Sequence, residues 1–474
     1  MADKRAVLGA VTLALAAPVV PRGCDGVVVR EARPLPAECT EDQRVYGECV
    51  GLPRGALCAE QPCVGDAICA ELVIVDGDEE LAVAAAEAGA GTCLALLPGD
   101  YSEVTLPGGV SLLGTGAEQV RLRGAVFFDG HGSTVRGLTV GDAGIVLDGT
   151  TGARLHAVRV EDSVADAIAL ENGASLGITR SEVRGAGRFG ISVRDASQLT
   201  IASSLVAGAE GGGVIASCDE GCGCATDGGV DLDRVLLKDN RAHGLFVWGM
   251  RASVERLLVD GALVDAQFEG GIGVVASDCA DVRLRQATLR GCTGQGISVH
   301  HASAHVGGSD AVDTVEIAGA SGGVWIQGIS TAEQQEVRLE RVRILQSLGV
   351  GLGVTGHSSS VFLRDVEVSE TALRAMPQVE PGGVVEVGDG VVWADRSFVD
   401  VEGLIVSASA RASFLIDGEV AAGSRVAGVT LTAGDAAKGI VQQRCPSWGS
   451  TPESGPGTPP IEQTEEEVYP LPWE

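Results

Sequence analysis

The chain has few aromatic residues, which make up 3% of its 474 residues, and only three lysines, so arginine supplies nearly all of its positive charge. Acidic residues outnumber basic ones, and the formal net charge is −30. This balance argues against nucleic-acid binding, because phosphates require a basic surface. It also opposes the binding of an anionic polysaccharide without a cation. No 12-residue window within 140–445 shows the 3.6-residue apolar spacing of an amphipathic helix, which argues against a helical core.

The longest apolar run at the start of the chain, Ala6–Val20, follows two basic residues. Fifteen apolar residues are too few to span a bilayer, but they suit the core of a signal peptide, which we expect at residues 1–23. The pair Gly23-Cys24 resembles the end of a bacterial lipoprotein signal, whose cysteine is lipidated after cleavage, although Pro21-Arg22 departs from that pattern. Ordinary cleavage after Ala16 is the alternative. We therefore expect an exported protein, either lipid-anchored at the cell envelope through Cys24 or secreted.

The chain has thirteen cysteines, an odd number, and lipidation of Cys24 would leave twelve for six disulfides. An oxidising compartment makes disulfides the expected state of the rest, which are Cys39, Cys49, Cys58, Cys63, Cys69, Cys93, Cys218, Cys222, Cys224, Cys279, Cys292 and Cys445. Six of these crowd the first hundred residues, so residues 24–78 are expected to form a small disulfide-held module or plug. Their spacings of 10, 9, 5 and 6 fit no zinc pattern. A soft-metal loop at 218–224 is the less favoured alternative, and Cys279 and Cys292 could pair with each other.

A glycine followed by alternating apolar residues recurs along most of the chain. The clearest copies are Gly144–Leu147, Gly190–Val193, Gly244–Val247, Gly296–Val299, Gly323–Ile326 and Gly351–Val354. The first four units start at residues 144, 167, 190 and 213, a spacing of 23 residues, and later units are longer by loop insertions. A period in this range indicates stacked units, none of which can bury its apolar face alone.

Each unit is predicted to be made of strands. A second run in each unit alternates in period two, as in 153–160 and 281–289, so apolar residues point inward and arginines meet water. Two or three short strands per unit match one turn of a parallel β-solenoid, and the fixed leucine and asparagine positions of leucine-rich repeats are missing. The sequence therefore predicts an all-β fold, a right-handed parallel β-helix, in which Ile145, Ile168 and Ile191 form one internal row.

The start of the solenoid carries further signals. Residues 79–91 are predicted to form a capping helix, with acidic residues in its first turn and Gly89 near its end. A strand ending in Pro98-Gly99-Asp100-Tyr101, a glycine-rich turn and the segment 132–140 follow. These features resemble the right-handed parallel β-helix superfamily with the pectin-lyase-like fold, over about 80–445. That fold hosts lyases, hydrolases, epimerases and non-enzymatic surface proteins, so the resemblance implies architecture and leaves activity open.

The domain boundaries follow from these signals. The β-helix is expected to span residues 79–445, with its capping helix closing an open strand edge. Residues 446–474 carry seven prolines and the acidic run 465–467, so a disordered tail is expected there.

Stacking predicts which outward side chains share a surface. Two columns of outward residues on the glycine-led strands bring together Phe246, Trp248, His300, Trp325 and Gln327, with His301 adjacent. In the same columns, Gly273 and Val275 are the predicted outward residues of the strand between those of Trp248 and His300. Aromatic rings with polar neighbours suit sugar rings, so these six residues are the predicted binding surface. The alternative is that Phe246 and Trp325 pack beneath the insertions at 218–243 and 301–322.

Candidates for catalysis are weaker. Asp148 and Glu171 lie one rung apart, as acid/base chemistry on a glycosidic bond requires, and His300 is a third candidate. Asp129-Gly130-His131-Gly132 superficially resembles a polygalacturonase motif, but the partner motifs of that family are absent. No metal site or cofactor is predicted, although the net charge is compatible with calcium.

Two functions remain open. The favoured one is an exported, non-catalytic β-helix, monomeric, that presents a surface to a polysaccharide or to another component of the cell envelope. The alternative is a carbohydrate-active enzyme, a polysaccharide lyase or glycoside hydrolase of the pectin-lyase-like fold.

Overall fold

The structure, a computed structural model, describes residues 27–28, 44–46, 48–51, 68–218, 228–264, 270–328, 335–356, 359–377, 384–432, 438–444 and 452–464. The predicted signal peptide and the lipidation candidate Cys24 lie outside these residues, as do Cys39, Cys58, Cys63, Cys222, Cys224 and Cys445.

The glycine-led strands form one parallel sheet, here called sheet 1. In the described part of the chain it has fifteen strands, each hydrogen-bonded to the equivalent strand of the next coil. They are Val104–Pro107, Val126–Asp129, Ile145–Asp148, Ile168–Glu171, Phe189–Arg194, Gly212–Ser217, His243–Trp248, Ile272–Ser277, Gln295–His300, Gly322–Gln327, Val350–Thr355, Asp389–Ala394, Ala412–Asp417, Lys438–Gln443 and Ile461–Gln463.

The remaining strands of the coils form a second parallel system, here called sheet 2, which in most coils has two arms separated by a bend. A residue with positive φ stands at this bend, for example Ala157 (φ 53°) and Ser203 (φ 50°). The described strands are Glu71–Val75, Thr92–Leu96, Gly99–Tyr101, Ser111–Leu113, Val120–Leu122, Thr134–Arg136, Thr139–Gly141, Ala153–His156, Arg159–Glu161, Ser175–Thr179, Glu182–Arg184, Gln198–Ala207, Gly229–Arg241, Arg251–Leu263, Asp281–Arg290, Ser303–Gly307, Val315–Ala318, Gln335–Glu340, Val342–Leu345, Ser359–Ser369, Phe398–Ser407, Arg425–Ala427, Thr430–Thr432 and Glu453–Ser454.

The internal row predicted from the repeat is present. Ile145 pairs in register with Ile168, and Ile168 pairs with Ile191. All three side chains are fully buried and belong to one continuous apolar core that runs through the stacked coils. The predicted parallel β-helix is therefore confirmed.

The repeated glycines are explained by the distance between coils. A Cβ atom added to Gly244 would lie 2.6 Å from the carbonyl oxygen of Gly273, and one added to Gly273 would lie 2.6 Å from that of Gly296. On Gly296 it would lie 2.3 Å from a methyl carbon of Ile317, which fills the corner of the core. From Gly190 to Gly390 the repeat glycines thus form a column, here called the glycine column, in which an added Cβ atom would collide with the next coil. The glycines of this column are required by close approach of the coils, since their φ angles are not positive, whereas the earlier repeat glycine Gly144 has φ 75°.

A single helix among the described residues closes the first coils. It spans Asp78–Glu87, and it buries Leu81 and Ala85 against the core. Asp78 in its first turn accepts hydrogen bonds from the backbone nitrogen of Ser102 (2.6 Å) and from its hydroxyl (2.5 Å). The helix ends before Gly89, with Ala88 at its C-cap. The strand Glu71–Val75 precedes the helix and already belongs to sheet 2, so the solenoid begins before residue 79.

Part of the cysteine-rich segment lies on the side of the solenoid. The antiparallel strands Arg44–Val45 and Glu48–Cys49 place Val45 and Val50 against Leu205, Leu236 and Leu258, which point outward from sheet 2. The backbone nitrogen of Gly51 donates to the carbonyl of Ser203 (3.0 Å). This hairpin therefore covers an outward apolar patch, which a plug at the end of the solenoid would not do. Val27–Val28 pairs antiparallel with Ile68–Cys69.

The solenoid also extends beyond the predicted end at residue 445. Glu453–Ser454 pairs parallel with Arg425–Ala427 in sheet 2, and Ile461–Gln463 pairs with Lys438–Gln443 in sheet 1. Ile461 packs against the continuous core. The described residues 452–464 thus form strands where a disordered tail was expected, because a proline-rich segment can still supply short edge strands at the end of a sheet.

The cysteines follow the prediction only in part. Cys69 and Cys93 form a disulfide, and Cys49, Cys218 and Cys279 are also disulfide-bonded. The Cys292 thiol is free and buried, so its predicted pairing with Cys279 is wrong. The two residues lie beyond opposite ends of the ten-residue strand Asp281–Arg290, and Cys292 points into the core beside Gly273. Burial raises the pKa of the Cys292 thiol to about 11.

Candidate functional site

Four side chains of the predicted surface region lie in one outward row of sheet 1. Trp248 pairs in register with Ser277, Ser277 with His300, and His300 with Gln327. Because adjacent strands are about 4.8 Å apart, the row extends over about 14 Å along the solenoid. It is here called the Trp248 row, after its first residue.

The register of this region differs from the prediction by two residues on one strand. Val275, not Gly273, pairs with Phe246, and Ser277, not Val275, pairs with Trp248. The cause is that Gly273, and not Gly271, occupies the glycine column. The sequence Gly271-Ile272-Gly273 offers two glycines in phase, and only contact with the next coil distinguishes them.

Trp248 is open to solvent, with 39% of its surface exposed. The other two aromatic residues of the predicted surface are partly buried. The ring of Phe246 lies against that of His243, with 5.1 Å between the centroids. Val275 and Ser298, which follow Phe246 in the same column, are almost fully buried. The Phe246 column is therefore not an open face at these rungs.

Trp325 lies flat over Gly353, where an added Cβ atom would come within 2.3 Å of the indole ring. It also packs against an apolar cluster on the outward side of sheet 1, which consists of Val350, Val387, Val392, Ala394, Ala412, Leu415 and Val441. Val387 belongs to the hairpin formed by Arg374–Pro377 and Val384–Val387. The geometry therefore gives Trp325 a packing role beside the row.

His300 is held by its neighbours in the row. Its Nε2 atom is 2.6 Å from the hydroxyl of Ser298, and its side chain also hydrogen-bonds with Gln327. Burial is the main cause that lowers the pKa of His300 below its usual value, and Gln327 opposes the shift. The imidazole is therefore neutral near pH 7 and offers one donor and one acceptor nitrogen.

His301 lies at the turn after the row and faces a carboxylate. Its Nδ1 atom is 3.5 Å from an oxygen of Asp278, which also accepts a hydrogen bond from the hydroxyl of Ser277 (2.8 Å). Asp278 and Ser298 are the members of this group that the sequence analysis missed. Correct placement of the strand Ile272–Ser277 in the repeat would have put Asp278 directly after the row. Ser298 precedes His300 by two residues on its own strand, so the outward alternation already points to it.

The three candidates for catalysis are not brought together. Asp148 and Glu171 are paired in register, as predicted, but each has its own partner. Asp148 accepts a hydrogen bond from the amide of Asn172 (2.6 Å), and an oxygen of Glu171 is 3.4 Å from Arg194. Asp148 is six strands from His300 in sheet 1, a separation of about 29 Å.

Within the described ranges, no group of three or more histidine, cysteine, aspartate or glutamate side chains is arranged to hold a metal ion. No helix in the described part of the chain is long and apolar enough to cross a membrane.

The comparison with known families agrees with this geometry. Residues 124–328 match the family model described as a right handed beta helix region. The chain has the right-handed parallel β-helix fold. No curated protein matches this β-helix.

Solved structures are similar to this chain at low identity. One is the catalytic domain of a GH87 alpha-1,3-glucanase variant in complex with tetrasaccharides, 12% identical, covering 78% of this β-helix chain and 69% of that chain with a TM-score of 0.41. Another is an alginate lyase from Paenibacillus sp. str. FPU-7, which is 13% identical. The match covers 61% of this chain and 97% of the lyase chain, with a TM-score of 0.34. A third is PfbA, a surface adhesin of Streptococcus pneumoniae, which is 10% identical. The match covers 69% of this chain and 86% of the PfbA chain, with a TM-score of 0.32. At these values, the function of this β-helix has to be argued from its own residues.

Proposed function

We propose that this β-helix is a non-catalytic glycan-binding protein and that the Trp248 row contacts the sugar. The observation that carries the proposal is the exposed indole of Trp248 at one end of a row of hydrogen-bonding side chains. An aromatic face provides an apolar platform for the C–H face of a sugar ring, and neighbouring polar groups hydrogen-bond with its hydroxyls.

The chemistry of the row supports binding more than turnover. The neutral His300 and the amide of Gln327 can each donate and accept hydrogen bonds, as sugar hydroxyls do. Asp278, the carboxylate beside the row, faces His301, and the predicted catalytic carboxylates Asp148 and Glu171 lie six and five strands away from His300 in sheet 1. Hydrolysis of a glycosidic bond usually requires two carboxylates at a defined separation.

The test is a glycan array followed by calorimetry with the glycan that binds best. Trp248→Ala is expected to weaken binding about tenfold, which corresponds to ~1.4 kcal/mol, because the platform for the ring is lost. Phe127→Ala is the matched control, since Phe127 is 40% exposed on the same face of sheet 1, five strands away.

Equal effects of the two variants, or no effect of Trp248→Ala, would rule out the row as the binding surface. The enzymatic alternative makes a different prediction. Release of reducing or unsaturated sugar ends, abolished by His300→Ala or Glu171→Ala, would identify a hydrolase or a lyase instead.

We also propose that the chain is exported and that its ligand is a component of the cell envelope or a polysaccharide outside the cell. The disulfide Cys69–Cys93 and the bonded state of Cys218 and Cys279 support this, because disulfides persist in oxidising compartments. Mass spectrometry of the mature protein is expected to find an N-terminus at Cys24 with attached acyl chains. An unprocessed Met1 would overturn export, and an unmodified N-terminus after Ala16 would overturn anchoring alone.

A further inference from the structure

A groove lies in the outward face of sheet 2, around the corner from the Trp248 row. Its volume is about 340 Å³, and strands of four successive coils line it. One wall column consists of Gln198, Gly229, Arg251 and Asp281, which are paired in register. Arg251 follows Trp248 by three residues, so the two surfaces flank one corner of the solenoid.

The groove exists because one of its wall columns lacks a side chain at Gly229. Gly229 leaves a gap in the wall column between Gln198 and Arg251, which are two strands or about 9.6 Å apart. Gly228, which also has no side chain, lies beside it. The gap depends on a glycine whose added Cβ atom would lie 2.9 Å from the carbonyl oxygen of Arg251.

Polar groups of both signs face this gap. The second wall column consists of Thr200, Asp231, Ser253 and Arg283, again in register. Within the described structure, the side chains of Asp231 and Ser253 have no hydrogen bond or ion pair, and Arg283 is 3.8 Å from Asp281. The groove therefore presents the carboxylate of Asp231 and the hydroxyl of Ser253 to a ligand without loss of an existing hydrogen bond or ion pair, with Arg251, Arg283 and Asp281 beside them.

A second groove on sheet 2 shows the contrast. It measures about 280 Å³ and contains Arg121 and Arg159. There the charges satisfy one another, because Arg121 pairs with Glu161 (2.5 Å) and Arg159 pairs with Glu118 (2.8 Å). A ligand in this second groove would have to break these ion pairs. A ligand in the groove at Gly229 can reach Asp231 and Ser253 without breaking an ion pair or a hydrogen bond.

We propose that the groove at Gly229 binds a neutral oligosaccharide. An anionic ligand would face Asp231 and Asp281, and a cationic one would face Arg251 and Arg283. A sugar hydroxyl donates to a carboxylate and accepts from a guanidinium, so a neutral polyhydroxy ligand suits both. The volume lies at the small end of ligand sites and fits a few sugar units. The proposal is independent of the Trp248 row, which lies on the other sheet.

The test is calorimetry at millimolar concentrations of cellotetraose, maltotetraose and, as the acidic counterpart, tetragalacturonate. Saturable binding of a neutral tetrasaccharide is expected. Ser253→Trp, which fills the groove from an exposed position, and Arg283→Ala are each expected to weaken that binding at least about tenfold. Arg285→Ala is the matched control, because it removes the same charge from the same face of the same strand outside the groove.

The outcomes separate the two surfaces. Binding that survives Ser253→Trp, binding of tetragalacturonate alone, or no binding of either neutral sugar would overturn the groove proposal. Loss of binding in Trp248→Ala, with Ser253→Trp unaffected, would assign the sugar to the Trp248 row and also overturn it. Loss of binding in Ser253→Trp, with Trp248→Ala unaffected, supports the groove and leaves the row to its own test.

Discussion

Replacing Arg411 by methionine is expected to lower the free energy of unfolding by about 3–5 kcal/mol, because it leaves a buried carboxylate without its counter-charge. The side chain of Asp389 is fully buried at the start of its strand in sheet 1. The Nε atom of Arg411 donates to it (2.9 Å), and so does the guanidinium through a second nitrogen. Without Arg411, Asp389 keeps the hydrogen bond from the backbone nitrogen of Ala412 (3.1 Å).

The effect should depend on pH. Burial already raises the pKa of Asp389 above its usual value, and Arg411 opposes this shift. Loss of Arg411 raises the pKa of Asp389 further in the folded state only. A raised carboxyl pKa costs stability as pH rises through the interval between the unfolded and folded values, so the destabilisation is largest at neutral pH and shrinks in acid. Urea unfolding at neutral and at acidic pH measures the loss of stability and its dependence on pH.

Two variants complete this experiment. Arg425→Met removes an arginine whose Nε atom is 3.0 Å from Asp400, and both side chains of this pair are partly exposed. It should cost at most about 1 kcal/mol, as surface ion pairs do. Asp389→Leu combined with Arg411→Met removes both buried charges and should recover most of the lost stability. Equal losses for Arg411→Met and Arg425→Met would contradict the argument from burial.

The second large effect is expected for Gly296→Ala, which should destabilise the protein by about 1–3 kcal/mol. The new methyl group would lie 2.3 Å from a methyl carbon of Ile317 and 2.9 Å from the carbonyl oxygen of Gly323. The collision involves the backbone of the next coil, so no side-chain rotation relieves it. Chemical denaturation followed by circular dichroism measures the loss.

Gly177→Ala is the matched control for the glycine column. Gly177 also lies in a strand, but a Cβ atom there would meet its nearest neighbour, the carbonyl oxygen of Ala153, at 4.0 Å. Alanine should leave the stability unchanged or raise it slightly, because it restricts the unfolded chain. If both alanine variants cost the same, the glycines of the column serve backbone freedom and not coil packing.

The rows of the solenoid could be predicted from the sequence where the repeat is uniform. Units at a constant spacing of 23 residues place Ile145, Ile168 and Ile191 at the same phase, and the structure stacks them. The prediction was wrong at Gly273 and Val275, because the preceding insertion removed the constant spacing and two glycines competed for one place. Local pattern alone carries no information about which of them contacts the next coil.

In the candidate site, the face on which each residue lies could be predicted, but its exposure to solvent could not. The alternation of outward residues placed Trp248, His300 and Gln327 on one face, and the structure has them in one row. Their exposure could not be predicted. Trp248 is open, whereas Trp325 packs with Val387, which belongs to a hairpin that begins 49 residues later in the chain.

The amino-acid sequence by itself determined the path of this chain: strands of period two, coils stacked through their apolar faces, and glycine where coils approach most closely. These are consequences of side-chain direction and size within one repeat, which neighbouring residues encode. Only the tertiary structure decided which outward surfaces are covered, as Val45 and Val50 cover Leu236, and which charges meet, as Arg411 meets Asp389. Such contacts join separate coils and insertions of variable length, so their geometry depends on the assembled fold and not on any local pattern.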